Sequence, residues 1–351
     1  MLIEGVFAAV PTPFYPDERV YLRKLEANVA RYSRSLMAGM VILGSTGEAP
    51  MLNDAESRAV LRAAADAAAT EKVLIAGVGR ESVRSTVELA EAAAECGYDA
   101  VLVRTPTYIA SQMSREAVLH YFRSVADRSP LPVLLYSVPQ FVPYAIPVEV
   151  VTELAQHPNI IGIKDSSGDV ERIVALVAAT RSAPTRVTTV TPIFEAVTRR
   201  MLAANSAKGD AMVSVGDLAS GLAVATVQTA PALKTRTKEV GFQVLCGSAS
   251  TLLASIENGA SGGILALAAC SPQACQDVYL AWKDREFALA RQRQQEIITP
   301  HQRIVGQLGI AGLKYACDFN GYFGGYPRSP MLPLNADQKQ EIEALLATIR
   351  N

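Results

Sequence analysis

The chain has 351 residues, half of them apolar, with 33 Lys and Arg against 34 Asp and Glu. That balance gives no sign of a basic surface for a nucleic-acid or polyanion partner, and none is expected. Three histidines and five cysteines occur without any HExxH, HxH or CxxC spacing, so a metal site built on His and Cys is not expected.

The cysteines are scattered and odd in number, which points to a reducing compartment and buried thiols. The N-terminus, MLIEGVFAAVPTPF, lacks a basic leader and meets Pro11 and Pro13 early. A cytoplasmic location follows from the two together. Residues 211–233 form the most apolar long stretch, but Asp217, Gln228 and several Ser, Thr and Gly residues make it a poor membrane span.

Short apolar runs alternate with longer Ala-rich amphipathic segments. The runs are GVFAAV (5–10), GMVILG (39–44), KVLIAGV (72–78), DAVLVR (99–104), LPVLLY (131–136), NIIGIK (159–164), FQVLCG (242–247) and SGGILAL (261–267). Most are continuous rather than alternating, as strands buried on both faces should be. Between them, residues 54–70 predict a helix capped at Asp54, residues 81–95 one closed by Cys96-Gly97, and residues 169–181 another. Eight strand–helix units in series predict an α/β fold, a (β/α)8 TIM barrel. An open doubly wound sheet would show fewer strands and a phosphate-type glycine loop.

The rhythm breaks once, between the sixth and seventh strands. The surplus, residues 182–239, reads as an insertion with a helix over 192–205. It joins a helix to the next strand, so it should lie on the barrel face away from the chemistry. The expected division is a barrel over 1–270, interrupted by 182–239, and a C-terminal helical region over 271–351. In that region 272–316 and 336–350 read as helices, with a Gly/Pro/Tyr-rich loop, 318–334, between them.

Barrel enzymes carry their chemistry at the C-terminal ends of strands. Four ends are loaded: GSTGEAP (44–50), RTPTY (104–108), YSVP (136–139) and KDSSGD (164–169). Lys164 follows an apolar run directly. It is either a solvated strand-end cation or an amine held in the barrel mouth, where desolvation disfavours an ammonium. A neutral amine there can attack a ketone and form a Schiff base. GSTGE is either a plain turn or a carboxylate cradle built from Ser45, Thr46 and backbone N–H groups, with Glu48 a structural hydrogen-bonder. Tyr136, packing in isolation, becomes a credible proton relay beside a Schiff-base lysine. Arg104 is either a strand-end charge paired with Asp99 or a neighbour, or an anchor for an acidic substrate.

Together the motifs resemble the dihydrodipicolinate synthase / N-acetylneuraminate lyase family of pyruvate-dependent class I aldolases. GSTGE is similar to the family's GxxGE, YSVP to its YxxP, and GIKDSSGD to its Schiff-base strand, over nearly the whole chain outside the insertion. Within the family, LPVLLYSVP, AQHPNIIGIKDSSGDVERI, FQVLCGSAS and the tail GLKYACDFNGYFGGYPRSPMLPL look like 4-hydroxy-2-oxoglutarate aldolase. The resemblance implies a lyase with Lys164 as the Schiff-base lysine and Tyr136 as the relay, and with no metal or organic cofactor, because the lysine itself is the electron sink. It implies Ser45 and Thr46 on the pyruvate carboxylate, Ser166 near the second substrate group, and Gly247 lining the pocket. It also implies that Tyr108 enters a neighbouring subunit's site in a homotetramer or homodimer, and that the partner molecule is a 2-oxo acid. Phe141 stands where dihydrodipicolinate synthases have an arginine for the distal carboxylate, and Val142-Pro143 makes that loop more apolar. A synthase, a 2-keto-3-deoxy sugar acid aldolase or dehydratase, and a non-catalytic 2-oxo acid binder are the alternatives.

Overall fold

The structure is a computed structural model that describes residues 1–209 and 233–349. Eight parallel strands close into a barrel: β1 (Gly5–Ala9), β2 (Gly39–Ile42), β3 (Val73–Gly77), β4 (Ala100–Arg104), β5 (Val133–Ser137), β6 (Ile160–Asp165), β9 (Gln243–Cys246) and β10 (Gly262–Leu265). These are the eight apolar runs, and their continuity has a plain cause. One face of each strand fills the barrel and the other packs under helices. Along β1, Phe7 and Ala9 join the interior cluster, while Val6 and Ala8 join the core beneath the helices.

The flanking helices are α1 (Leu22–Ser33), α2 (Asp54–Ala67), α3 (Val83–Glu95), α4 (Arg115–Arg128), α5 (Val148–Leu154), α6 (Val170–Thr180) and α8 (Leu252–Glu257). The cap of α2 is Asn53 rather than Asp54. Its side chain accepts from Glu56 N while the Glu56 carboxylate takes Asn53 N, a reciprocal capping box. Ser82 and Asp169 cap α3 and α6.

The insertion corrects one expectation. Residues 192–198 are not helical, because Phe194 sits in the left-handed region (φ 65) and Ala196 bridges back to Val190. The helix α7 runs over Arg199–Gly209 instead. A hairpin absent from the sequence reading, β7 (Arg186–Val190) with β8 (Arg236–Val240), forms a separate antiparallel pair outside the barrel. Its side chains are largely exposed, so it lacks the apolar run that marks the barrel strands. Arg186 ties the hairpin to the start of β6 through the carbonyls of His157, Pro158 and Ile160. Residues 210–232, holding nearly all of the apolar stretch 211–233, lie outside the described residues. No helix among the described residues is long and apolar enough to cross a membrane.

After β10, α9 (Pro272–Lys283) and α10 (Phe287–Pro300) precede a π-turn (His301–Gln307), α11 (Gly309–Phe319) and α12 (Ala336–Leu346). The helical stretch expected over 272–316 is therefore broken at Arg285, another left-handed residue (φ 64), and again at the π-turn.

Candidate functional site

The site begins with strand register. On β5, Leu134 and Tyr136 face the barrel interior while Val133 and Leu135 face the helices. On β6 the pairing slips. Ile160 lies opposite Val133, Gly162 opposite Leu134, and Lys164 opposite Tyr136, with one irregularity between Val133 and Leu134. Ile161 is the extra residue, packed inside, while Ile160 and Ile163 both lie under the helices. Side chains alternate along a strand, so without this bulge Lys164 would fall on the helix-facing side. The bulge turns Lys164 into the barrel beside Tyr136.

There Lys164 is 5% exposed. Its Nζ lies 3.3 Å from the Tyr136 hydroxyl and 4.3 Å from the ring centre. The same hydroxyl lies 3.2 Å from Ser45 Oγ. Amine, phenol and hydroxyl thus form one chain across the C-terminal mouth, and each oxygen can both give and take a proton. Asp165, left without a role by the sequence, holds the loop after β6. It accepts from Ser167 and pairs with Arg172 at 2.7 Å.

GSTGE folds as a tight 3₁₀ turn, Ser45–Gly47, flanked by two left-handed residues, Leu43 (φ 60) and Glu48 (φ 55). Such conformations persist only where neighbours enforce them. Buried Glu48 is held by a direct ion pair to Lys314 of α11 and accepts from Arg328 N at 2.9 Å. Lys314 is fully buried, and its Nζ also donates to Tyr326 O at 2.7 Å. Burial pushes the Lys314 ammonium below its usual range, and the Glu48 carboxylate opposes that shift. Glu48 is structural, as its pattern suggested, and the C-terminal extension braces the turn that presents Ser45 and Thr46.

A cavity of about 670 Å³ opens over Lys164. Ser45, Thr46, Tyr136, Phe141, Lys164, Ser166 and Gly247 all line it. A Cβ on Gly247 would sit 2.0 Å from Ser166 Oγ, so only glycine admits that serine. Tyr108 is not brought to this cavity. It is 92% exposed, and its backbone N–H is fixed by Glu81 at 3.0 Å. Arg104 pairs with Glu81 at 3.0 Å rather than with Asp99, and it too is absent from the lining. No described residue of 182–239 contributes. Among the described residues, those of the insertion gather at the other end of the strands, where Thr191, Phe194 and Glu195 share a second cavity with Gly5 and Val73.

The sequence reading missed the residues on the far side. Ser248 and Ser250 follow β9, and His301, Gln302 and Gln307 arrive on the π-turn. The Ser248 hydroxyl lies 3.0 Å from His301 Nε2 and 2.8 Å from Ser250 Oγ. Burial holds the His301 pKa down to about 4, so the ring is neutral at pH 7. Nothing local marks His301, which sits in ordinary helical sequence far from the strand ends.

Comparison with known proteins identifies the family and the fold. A profile of the Dihydrodipicolinate synthetase family matches residues 2–186 and 218–349. A 4-hydroxy-tetrahydrodipicolinate synthase of Acidiphilium cryptum is 25% identical over 345 residues, covering 98% of each chain. An L-threo-3-deoxy-hexylosonate aldolase of Aspergillus niger is 26% identical over 345 residues, covering 96% of this chain and 92% of its own. Among solved structures, a prophage protein of the dihydrodipicolinic acid synthase family from E. coli K12, in complex with pyruvate, superposes with a TM-score of 0.77 at 24% identity, covering 99% of this chain and 98% of its own.

Proposed function

The chain belongs to the dihydrodipicolinate synthetase family, and from that premise we propose that it is a carbon–carbon lyase cleaving a 4-hydroxy-2-oxo acid to pyruvate and an aldehyde. The observation that carries the proposal is the Lys164–Tyr136–Ser45 chain, with 3.3 and 3.2 Å between successive polar atoms. Lys164 attacks the 2-oxo carbon, loses water and leaves an imine. Tyr136 takes the 4-hydroxyl proton as the C3–C4 bond breaks, and its contact with Ser45 passes that proton on. The bond's electron pair flows into the protonated imine to give an enamine, which gains a proton at C3 and is hydrolysed to pyruvate. Ser45 and Thr46 hold the 1-carboxylate. Tyr108, exposed on this chain, would complete the site of a second copy in a homodimer or homotetramer.

Two substrates are consistent with this chemistry. Likeness to 4-hydroxy-2-oxoglutarate aldolase favours a dicarboxylate. One observation favours a 3-deoxy-2-oxo sugar acid instead. Lys164 is the only charged residue in the described cavity lining, and imine formation ties its nitrogen to C2, away from the distal end of the substrate. A distal carboxylate would then lack a guanidinium or ammonium, whereas hydroxyls would meet serines and amides.

Reduction with borohydride in the presence of pyruvate tests the imine. A three-carbon adduct on Lys164 is expected, and an adduct on another lysine, or none, sinks the mechanism. Pyruvate release from both substrate classes separates the two substrates.

A further inference from the structure

The C-terminal helices reach the cavity through the π-turn His301–Gln307 and the start of α11, where Gly309, Ile310 and Leu313 also line it. A π-turn adds a residue per turn and re-aims side chains, and such turns cluster at functional sites. Here it sets His301, Gln302, Val305, Gly306 and Gln307 into the lining. Opposite lie Ser248 and Ser250, just beyond the β9 end that pairs with β6 at Lys164–Leu245.

We propose that His301 is a positioning residue for the leaving half of the substrate: it fixes the Ser248 hydroxyl, and through it Ser250, to bind a substrate hydroxyl beyond C4. The proposal rests on the aldolase reading of the same cavity. Three observations carry it. The Ser250–Ser248–His301 contacts form one continuous chain at 2.8 and 3.0 Å. Every member is neutral at pH 7, because burial keeps the imidazole unprotonated. A neutral imidazole accepts through one nitrogen and donates through the other, so the serine hydroxyl beside it can point either way. That ambivalence suits a hydroxyl, which both gives and takes. A carboxylate only accepts and favours a cation, and the described lining offers none beyond Lys164. The other ring nitrogen, Nδ1, is buried without a partner among the described residues. An unpaired buried polar atom costs stability, and such a cost is typical of a residue kept for function.

The test compares two substrates that share C1–C4 chemistry: a 3-deoxy-2-oxo sugar acid, hydroxylated beyond C4, and 4-hydroxy-2-oxopentanoate, which ends in a methyl group. Selectivity is the ratio of their kcat/KM values. His301→Leu should lower that ratio about tenfold, the scale of one lost neutral hydrogen bond, with KM for the sugar acid rising more than kcat falls. His301→Gln, whose amide also accepts and donates, should recover most of the ratio. Ser248→Ala should repeat the loss, and it carries the test if His301→Leu does not fold. A ratio unmoved within twofold, or no recovery with glutamine, overturns the proposal while leaving the aldolase reading in place. Borohydride trapping on the wild-type protein is run in parallel. A missing Lys164 adduct overturns the aldolase reading, and this proposal with it.

Discussion

Two lysines of this chain are almost equally hidden and differently partnered. Lys314 is 0% exposed and Lys164 is 5% exposed, and each lies 4.3 Å from the centre of an aromatic ring, Phe14 and Tyr136 respectively. Lys314 meets the Glu48 carboxylate and the Tyr326 carbonyl. Lys164 meets a phenol, and the carboxylate beside it in sequence, Asp165, is taken by Arg172. A buried ammonium matched by a carboxylate is a tie between segments. A buried lysine facing a hydroxyl in an open cavity has no carboxylate to tie it down, as the proposed nucleophile requires. Burial of a lysine does not by itself mark chemistry, and the partner decides.

The sharpest test of that contrast is Lys164→Ala. It should lower cleavage by about 10⁶-fold, the scale for losing a covalent nucleophile, and abolish the borohydride adduct with thermal stability little changed. Residual turnover within a hundredfold of wild type would show that the amine is not the nucleophile. Tyr136→Phe removes only the hydroxyl proposed as the proton relay, so kcat should fall about 10²–10⁴-fold while the Lys164 adduct still forms slowly.

At the other lysine the loss should be one of stability. Lys314→Met strands the Glu48 charge and should cost about 3–5 kcal/mol by urea unfolding. Adding Glu48→Gln should recover most of that, because no bare charge remains. A double variant as unstable as the single one breaks the comparison.

His301 links the two regions, since its π-turn lines the Lys164 cavity and leads into the helix that carries Lys314. Its folded pKa of about 4 lies below the value near 6.5 in the unfolded chain. Below pH 6.5 the unfolded chain therefore binds a proton that the folded protein refuses. Stability falls as pH drops from 6.5 towards 4, by roughly 2–3 kcal/mol between pH 7 and 4.5 from this group. His301→Gln should remove that part of the fall. Identical pH dependence in both proteins, read from urea midpoints, argues against a buried neutral ring.

The smallest expected effect comes from supplying the Lys164 cavity with a second cation. Phe141 lines it and is 61% exposed. Phe141→Arg should raise the kcat/KM of a dicarboxylate relative to a neutral hydroxylated substrate about tenfold, one charged hydrogen bond's worth. No shift in that ratio would mean that position 141 does not face the leaving group.

Much of this was legible in the chain itself. The eight barrel strands stand out because strands covered on both faces must be apolar throughout. The loaded strand ends supplied Lys164, Tyr136, Ser45, Thr46 and Ser166, the family resemblance added Gly247 and Phe141, and these seven line one cavity, whereas Tyr108 and Arg104 do not. The hairpin of β7 and β8 was not legible, because its exposed sides, in RVTTV and RTKEV, carry no buried-strand pattern. The helix expected over 192–205 starts late for a related reason. Residues 192–198 are compatible with helix locally, but the hairpin and the Val190–Ala196 bridge hold them in a turn.

What the sequence determined was the alternation of apolar runs and helices, and which residue types stand at the strand ends. Both are local properties, written in consecutive residues. What only the tertiary structure decided were pairings between distant segments. The extra residue at Ile161 is visible only against β5, yet it sets whether Lys164 faces Tyr136 or the helices. The partner of Glu48 comes from α11, and the partner of Ser248 from the π-turn before it. Side-chain direction and charge compensation are fixed by what packs opposite, and that information is absent from any single stretch of chain.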